Sequence, residues 1–379
     1  MSTVSSANKT ATATAPSAKG GDGLRFLTQL LQVATRQKAS DIHLKVRNRP
    51  FLRVDGVLRP MREFPVLSVP DLEALAGAML NDRLRKLLHE NYQVDSSIGI
   101  KNIGRVRLNV YYQRGSIAMA LRVIETRVPT PEELGLPSVV KDFTRFERGL
   151  VILTGATGSG KSTTIASLIN EINFNYAKNI ITIEDPIEYL FADQRSIISQ
   201  REIGADARTF PSAMISALRE DPDVILLGEM RDSPSIDTAL TAAETGHLVL
   251  TTLHSPAAAD TVPRIISSFA PDAQGTIRAK LAQNLRAVVA QRLLPRADGG
   301  GRTVACEVMT AGPRVRELIL DPLRVKEISD LVKGGAIVEG MLSFDQHLFE
   351  LCRRGDITDE TALQHATSPT DLKLKLDGF

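Results

Sequence analysis

The sequence predicts an α/β core preceded by a smaller α+β unit and followed by helices, and three patterns carry that prediction. From residue 148 onward, apolar runs such as GLVILTG, NIITIED, DVILLGE and HLVLTTLH alternate with helical segments. Apolar runs without polar alternation mark a parallel sheet covered on both faces. Before residue 125, apolar and polar residues alternate singly around turn signals, the mark of a small antiparallel sheet. Beyond the strands the helical i, i+3, i+4 spacing returns. With 379 residues the chain is long enough for two cores.

Element by element, residues 1–23 are rich in Ser, Thr, Ala and Gly, have almost nothing to bury, and read as a disordered tail. LRFLTQLLQVATRQ then sets Leu24, Leu27, Leu30, Leu31 and Ala34 on one helical face. SDIHLKVRNRPFLRVDGVLRPM reads as antiparallel strands, with turns at residues 48–50 and at Asp55-Gly56. Residues 71–90 read as a helical stretch and GRVRLNVYYQRGSIAMALRVIE as a hairpin. The Pro-punctuated VPTPEELGLP, residues 128–137, reads as a linker. The expected organisation is therefore a tail (1–23), an N-terminal domain (24–127), the linker (128–137) and a larger domain with C-terminal helices (138–379). The clearest late helix is SFDQHLFELCRRG, with Phe344, Leu348, Leu351 and Cys352 on one stripe and Gly355 as its stop.

Composition narrows the function classes. Lys plus Arg number 46 against 44 Asp plus Glu, a formal charge of +2, which gives no global electrostatic attraction to nucleic acid. Phe and Tyr are scattered and form no base-stacking platform. Two cysteines, Cys306 and Cys352, without a CxxC pair imply neither a disulfide framework nor a zinc ribbon and fit a reducing compartment. No stretch approaches the ~20 apolar residues of a membrane span, and no secretory signal core opens the chain, so a cytosolic protein is expected.

GATGSGKS follows the strand LVILT and opens the helix STTIASLINEI, the context that the G-x-x-x-x-G-K-[ST] pattern requires. Glycines 155, 158 and 160 let backbone N–H groups turn toward phosphates, and the helix N-terminus adds partial positive charge. The candidate nucleotide contacts are Gly155, Ala156, Thr157, Gly158, Ser159, Gly160, Lys161, Ser162 and Thr163. Lys161 is expected to neutralise the β and γ phosphates, Ser162 to reach Mg²⁺, and Thr163 the α phosphate. ATP and Mg²⁺ are the expected ligands.

Hydrolysis needs one acid to orient the attacking water and another for the metal, and the strand beside the phosphate loop is the place to look. DPDVILLGEMRD, residues 221–232, reads as that strand, with Gly228 where a first acid is usual and Glu229 after it. TIEDPIEYL offers Glu184, Asp185 and Glu188 after the strand NIITI. Paired carboxylates from neighbouring strand ends would divide the water and metal roles, the alternative being acids that cap a helix after Pro186. Arg219 and Arg231 flank the strand as ion-pair partners for these acids. In TGHLVLTTLHS a regular strand puts His247 and His254 on opposite faces, so they do not share a metal. His254, at the C-terminal strand end, is the one expected to reach the γ phosphate or the acids. The other four histidines sit in ordinary amphipathic contexts.

In this order the segments resemble the secretion ATPase superfamily, which powers type II secretion and type IV pili. GATGSGKSTT is similar to its Walker A box, ITIEDPIEYL to its Asp box, DPDVILLGEMRD to its Walker B box and TGHLVLTTLHS to its His box. ASDIHLKVRNRPFLRVDG resembles the opening of its N-terminal domain. The resemblance implies a hexameric ring with a PAS-like N-terminal domain and a RecA-like ATPase core. It also implies Glu184 and Glu229 in catalytic or metal roles, with Ser162 on the metal, and γ-phosphate sensing by the His box. Arg105, Arg107 and Arg122 match arginines that a neighbouring subunit supplies. Lack of a four-cysteine insertion and of a long N-terminal extension points to the retraction branch, the PilT and PilU group. RVRELILD, residues 314–321, keeps Arg316, Leu318 and Ile319 of the retraction hallmark AIRNLIRE and changes the rest, which favours the accessory PilU type. The implied partners are a PilT-like ATPase and an inner-membrane, PilC-like platform protein met at the cytoplasmic membrane face, with no nucleic acid. Two other readings stand beside this one: a nucleotide-gated interaction protein with little turnover, and a DNA translocase or helicase.

Overall fold

Gly23–Arg36 forms α1, whose buried stripe runs through Gly23, Phe26, Leu27, Leu30, Leu31 and Ala34. Leu24, at the margin of that stripe, is 54% exposed. The computed structural model describes residues 23–378 except 55, 101–102, 125–126 and 335–339. Residues 1–22 of the expected tail lie outside the described residues, whereas Gly23 is helical and buried, packed toward Ala74 and Ala78. The chain divides into two units, Met1–Thr126 and Arg127–Phe379; the segment 128–137 belongs to the second.

In the first unit, α1 is followed by β1 (Asp41–Lys45), β2 (Phe51–Val54) and β3 (Val57–Pro60). Then come α2 (Val69–Met79), α3 (Asp82–Asn91), β4 (Gln93–Ile100), β5 (Gly104–Gln113) and β6 (Ser116–Val123). The strands form one sheet in the order β3-β2-β1-β6-β5-β4, every pair antiparallel. Ile42, Leu44, Val106, Leu108, Val110 and Leu121 turn from it onto the helices, which is why the sequence alternates. Asp55 of the expected Asp55-Gly56 turn lies outside the described residues; Gly56 follows it at φ +79°. The single helical stretch expected over 71–90 is two helices. Leu80 is extended, and the Asn81 side chain accepts the N–H of Leu84 at 2.9 Å, restarting the helix as an N-cap. β4 was not foreseen, because only Val94 in it is buried and no alternation marks it.

The second unit opens with α4 (Ser138–Asp142) and a 3₁₀ turn (Phe143–Arg145), followed by β7 (Gly149–Thr154), α5 (Lys161–Asn175), β8 (Asn179–Glu184) and β9 (Ile197–Glu202). The chain continues through α6 (Phe210–Ala217), β10 (Val224–Leu227), α7 (Ser233–Glu244), β11 (Leu248–Leu253), α8 (Thr261–Ser267) and α9 (Gln274–Asn284). Next are β12 (Leu285–Pro295), β13 (Arg302–Thr310), α10 (Pro313–Leu320) and α11 (Glu327–Gly334). Last come α12 (Phe344–Arg354), α13 (Asp359–His365) and α14 (Pro369–Leu376). The sheet order is β13-β12-β7-β11-β10-β8-β9, parallel except for β13. Every residue of β7, β10 and β11 is buried, since Leu150, Ile152 and Val249 face one helical layer and Val151, Leu153 and Leu250 the other.

One expectation is overturned here. β10, which carries Glu229 at its end, is not beside the phosphate-loop strand; β11 lies between them, paired with β7 from Leu248↔Gly149 to Leu253↔Thr154 and with β10 on its other side. Strand order follows from the crossovers, which motif order along the chain does not encode. The hairpin of β12 and β13 and the half-exposed edge strand β9 were also absent from the sequence reading. α12 matches it, with a capping box at Ser343 and Gly355 as a left-handed C-cap at φ +76°. His347 on this helix is a satisfied core residue, its Nδ1 accepting the N–H of Cys306 at 2.9 Å.

Candidate functional site

β7 ends at Thr154, and the loop that follows needs three left-handed residues, Gly155 (φ +139°), Gly158 (+80°) and Gly160 (+90°). At Gly155 a Cβ would lie 2.5 Å from the Gln291 carbonyl oxygen, so the loop is seated against β12 with no room for a side chain. α5 then starts at Lys161 behind Gly160, which provides no side-chain cap. Its first N–H groups are left for another acceptor, the arrangement that binds phosphate. The Ser159 hydroxyl is buried without a hydrogen-bond partner among the described residues. Lys161 is buried and folds back, its Nζ donating to the carbonyls of Gly155 (2.8 Å) and Ala156 (2.9 Å). Burial lowers its pKa, while the charges of Glu229 and Glu188 oppose that shift. Thr163 Oγ1 lies 3.0 Å from the Tyr189 hydroxyl. Ala156, Thr157 and Ser162 complete the loop and the first turn.

The strand ends deliver the acids. Glu229 follows β10 and is about four-fifths buried, with Oε2 accepting from Arg231 Nε at 2.8 Å and Oε1 3.2 Å from His254 Nε2. The other ring nitrogen of His254 lies 3.2 Å from the Gly155 carbonyl. The imidazole therefore spans from the phosphate loop to the acid. It is held there because Thr154 Oγ1 accepts the Ser255 N–H at 2.7 Å and lies 2.7 Å from the Ser255 hydroxyl, tying the ends of β7 and β11 together.

Glu184 ends β8 and is buried more deeply. Its Oε1 accepts from Thr182 Oγ1 at 2.6 Å and Gln200 Nε2 at 3.3 Å, and desolvation raises its pKa. The acids whose fields reach Lys161 are Glu229 and Glu188, the latter noted in the sequence but not selected. Among the described residues no helix forms between Pro186 and β9, so these acids do not cap one there. Gly228 also finds its reason: a Cβ there would meet the Ile183 carbonyl at 3.2 Å and Glu184 Cα at 3.4 Å, so a side chain at that position would press on the neighbouring strand end.

The structure thus brings together the loop 155–163, Glu229, His254 and, one strand over, Glu184. His247 is apart, at the far end of β11, with Nδ1 2.9 Å from the Ala242 carbonyl and 3.2 Å from Thr245 Oγ1. Arg231 pairs with Glu229 and, at 3.9 Å, with Asp185; for Arg219 no ion pair is found among the described residues. Arg105, Arg107 and Arg122 lie in the first unit. Arg105 Nε donates to Ser97 Oγ at 2.8 Å, Arg107 and Arg122 are opposite each other on β5 and β6, and Arg122 is bound to Asp41 at 2.7 Å. Thr182, Gln200, Tyr189 and the Thr154–Ser255 tie were missed; Gln200, Tyr189 and the tie have partners 16 to 101 positions away, whereas Thr182 is only two residues from Glu184 and shares its face of β8.

Among the described residues no cluster of three or more His, Cys, Asp or Glu could by itself hold a metal ion. Mg²⁺ takes one or two protein oxygens and otherwise phosphate and water; Ser162, Glu229 and Glu184 are the oxygen donors around the loop that would hold it. Next to the loop, Gly160 and Thr163 join Leu293, Arg296, Thr303 and Arg354 around a cavity of about 680 Å³, within the range of small-molecule sites. Among the described residues no helix is long and apolar enough to cross a membrane.

Comparison with known proteins places the chain in a family. The family profile described as Type II/IV secretion system protein matches residues 21–372. The chain is 41% identical to the type IV pilus ATPase PilU of Pseudomonas aeruginosa, over 92% of this chain and 90% of that one. It is 40% identical to PilT of the same organism, a type IV pilus retraction ATPase, over 90% and 98%. The crystal structure of the pilus retraction motor PilT with bound ADP superposes with a TM-score of 0.84 at 42% identity, covering 91% of this chain and 98% of that one.

Proposed function

This chain belongs to the type II/IV secretion system protein family, in its PilT/PilU group, and on that premise we propose that it is an ATPase motor that retracts type IV pili. The observation that carries the reading is the His254 bridge, which joins the Gly155 carbonyl at the phosphate loop to the carboxylate of Glu229. When ATP enters, its phosphates take the uncapped N-terminus of α5, and Lys161 exchanges the two loop carbonyls for the β and γ phosphates. Mg²⁺, held through Ser162 with an acid, would offset charge on the triphosphate.

Glu229 is the acid suited to polarise the attacking water. It is partly solvated and lies in the field of Lys161, whereas Glu184 is desolvated and engaged with Thr182 and Gln200. His254 stands where it senses the γ phosphate or relays a proton from Glu229. Glu184 positions the β8 end. The finer reading follows the resemblance: a hexamer in the cytoplasm, an arginine among Arg105, Arg107 and Arg122 of a neighbouring copy completing each site, and docking on a PilC-like platform protein. The chain acts as an accessory motor with a PilT-like one, in keeping with the changed RVRELILD segment.

Two measurements test this. Purified chain should hydrolyse Mg-ATP, and Lys161→Ala should abolish turnover with the fold intact by circular dichroism; wild-type turnover in that variant would refute the site. Deletion of the gene in its host should leave retraction intact at low load and impair it at high load if the motor is accessory. Unimpaired retraction at all loads would sink that part of the reading.

A further inference from the structure

The opposite end of the α/β sheet, at the N-termini of β7 and β12, carries a cluster that nucleotide chemistry does not use. Arg148 immediately precedes β7 and is exposed; Arg286 follows the first residue of β12, and Arg316 lies on α10, both half-buried. Two hydrogen bonds tie the start of β12 to the α10 segment. Ala311 N–H donates to the Arg286 carbonyl at 2.8 Å, and the Ala311 carbonyl accepts from Arg316 Nε at 2.9 Å. Arg286 lies across Gly149, whose absent side chain makes the room: a Cβ there would be 2.5 Å from Arg286 Cγ and 2.9 Å from its Nε.

None of the three guanidiniums forms an ion pair among the described residues. Arg286 Nη1 donates to the carbonyl of Gln283 at 3.1 Å. Burial lowers its pKa, and the charges of Arg316 and Arg148 push the same way. The neighbouring arginines behave otherwise: Arg314 and Arg324 are paired with Glu317 and Glu327. Acids are thus within the reach of α10, yet they leave Arg316 alone. With the whole chain at only +2, the cluster is a local concentration of charge and not part of a general basic excess.

We infer that Arg148, Arg286 and Arg316 form a docking site for an acidic segment of a partner protein. Mutual repulsion among three guanidiniums that form no ion pair among the described residues, two of them partly desolvated, is screened incompletely by solvent and is offset by negative charge brought from outside. Their gradation from exposed rim to half-buried interior suits carboxylates strung along a peptide, which meet the arginines one at a time. A single small anion is less suited, because Arg316 Nε and Arg286 Nη1 already face carbonyls. The site lies at the strand ends remote from the phosphate loop, so its occupation does not require the nucleotide site to change.

The test uses the full chain and a fluorescein-labelled glutamate-rich decapeptide, followed by anisotropy. Saturable, salt-sensitive binding is expected, weakened about tenfold or more in Arg148→Gln/Arg286→Gln/Arg316→Gln and by a smaller factor in Arg148→Gln alone, which touches only the exposed rim. A control with the same charge change elsewhere, Arg25→Gln/Arg62→Gln/Arg114→Gln, should bind like wild type, and basal ATPase activity should be unchanged in all three. Equal weakening in the control would reduce the effect to net charge and overturn the proposal. So would full competition by inorganic phosphate at the peptide's own concentration, which would make this a small-anion site. A shift in oligomeric state in light scattering, without change in peptide affinity, would instead make the cluster an interface between copies of this chain.

Discussion

His254 Nε2 stands 3.2 Å from Glu229 Oε1, while its other nitrogen faces the Gly155 carbonyl at the same distance. Both ring nitrogens meet acceptors, one on the phosphate loop and one on the acid, so a change at either is felt at the other. His254→Ala is expected to lower kcat by about ten- to a hundredfold, the range of a lost positioning or proton-transfer group. His247→Ala, whose ring bonds only within its own turn, should leave kcat near wild type. Steady-state kinetics on the two variants, with oligomeric state monitored, checks this; equal losses would remove the distinction.

Glu229 and Glu184 should separate in the same assay. Glu229→Gln is expected to retain ATP binding and lose about two orders of magnitude or more in kcat, because an amide cannot take the proton of the attacking water. Glu184→Gln keeps an oxygen for Thr182 and Gln200 and removes a charge that burial already disfavours, so stability should hold and kcat should fall less. The reverse order of losses would transfer the base role to Glu184.

Two loop glycines look alike in sequence and differ in space. Gly155→Ala puts a Cβ 2.5 Å from the Gln291 carbonyl at φ +139°, and should cost more than ~2 kcal/mol together with nucleotide affinity. Gly158→Ala meets nothing within 4 Å and carries only the left-handed backbone cost of about 1 kcal/mol. Chemical denaturation and nucleotide titration of both variants measure the difference.

Burial lowers the pKa of His347 to about 4 from 6.5, and the Arg354 charge adds to the effect. Between those values the unfolded chain binds a proton that the folded one refuses, so stability falls as pH drops from about 6.5 toward 4. The loss is bounded by roughly 3 kcal/mol at the low end. His347→Gln, whose side-chain oxygen can still accept the Cys306 N–H, should flatten this slope in urea melts at pH 7, 6 and 5. An unchanged slope would assign the acid sensitivity to other groups.

The sequence alone marked the two kinds of sheet, the phosphate-loop pattern and the candidate acids. These are properties of local pattern: period-2 alternation in β5 and β6, unbroken apolar runs in β7, β8, β10 and β11, and glycines spaced before Lys161. It could not supply β12 and β13, because a long hairpin at a sheet edge has the same residue types as a buried helix segment until its register is known. It also could not order the strands, and so set β10 beside β7 where β11 lies. That order decides the site. It brings His254 over Gly155 and against Glu229, leaves Glu184 one strand farther and desolvated behind Thr182 and Gln200, and explains Gly228 by the carbonyl of Ile183. Distances between residues a hundred positions apart are set by crossovers and packing, and those exist only once the sheet has closed on its helices.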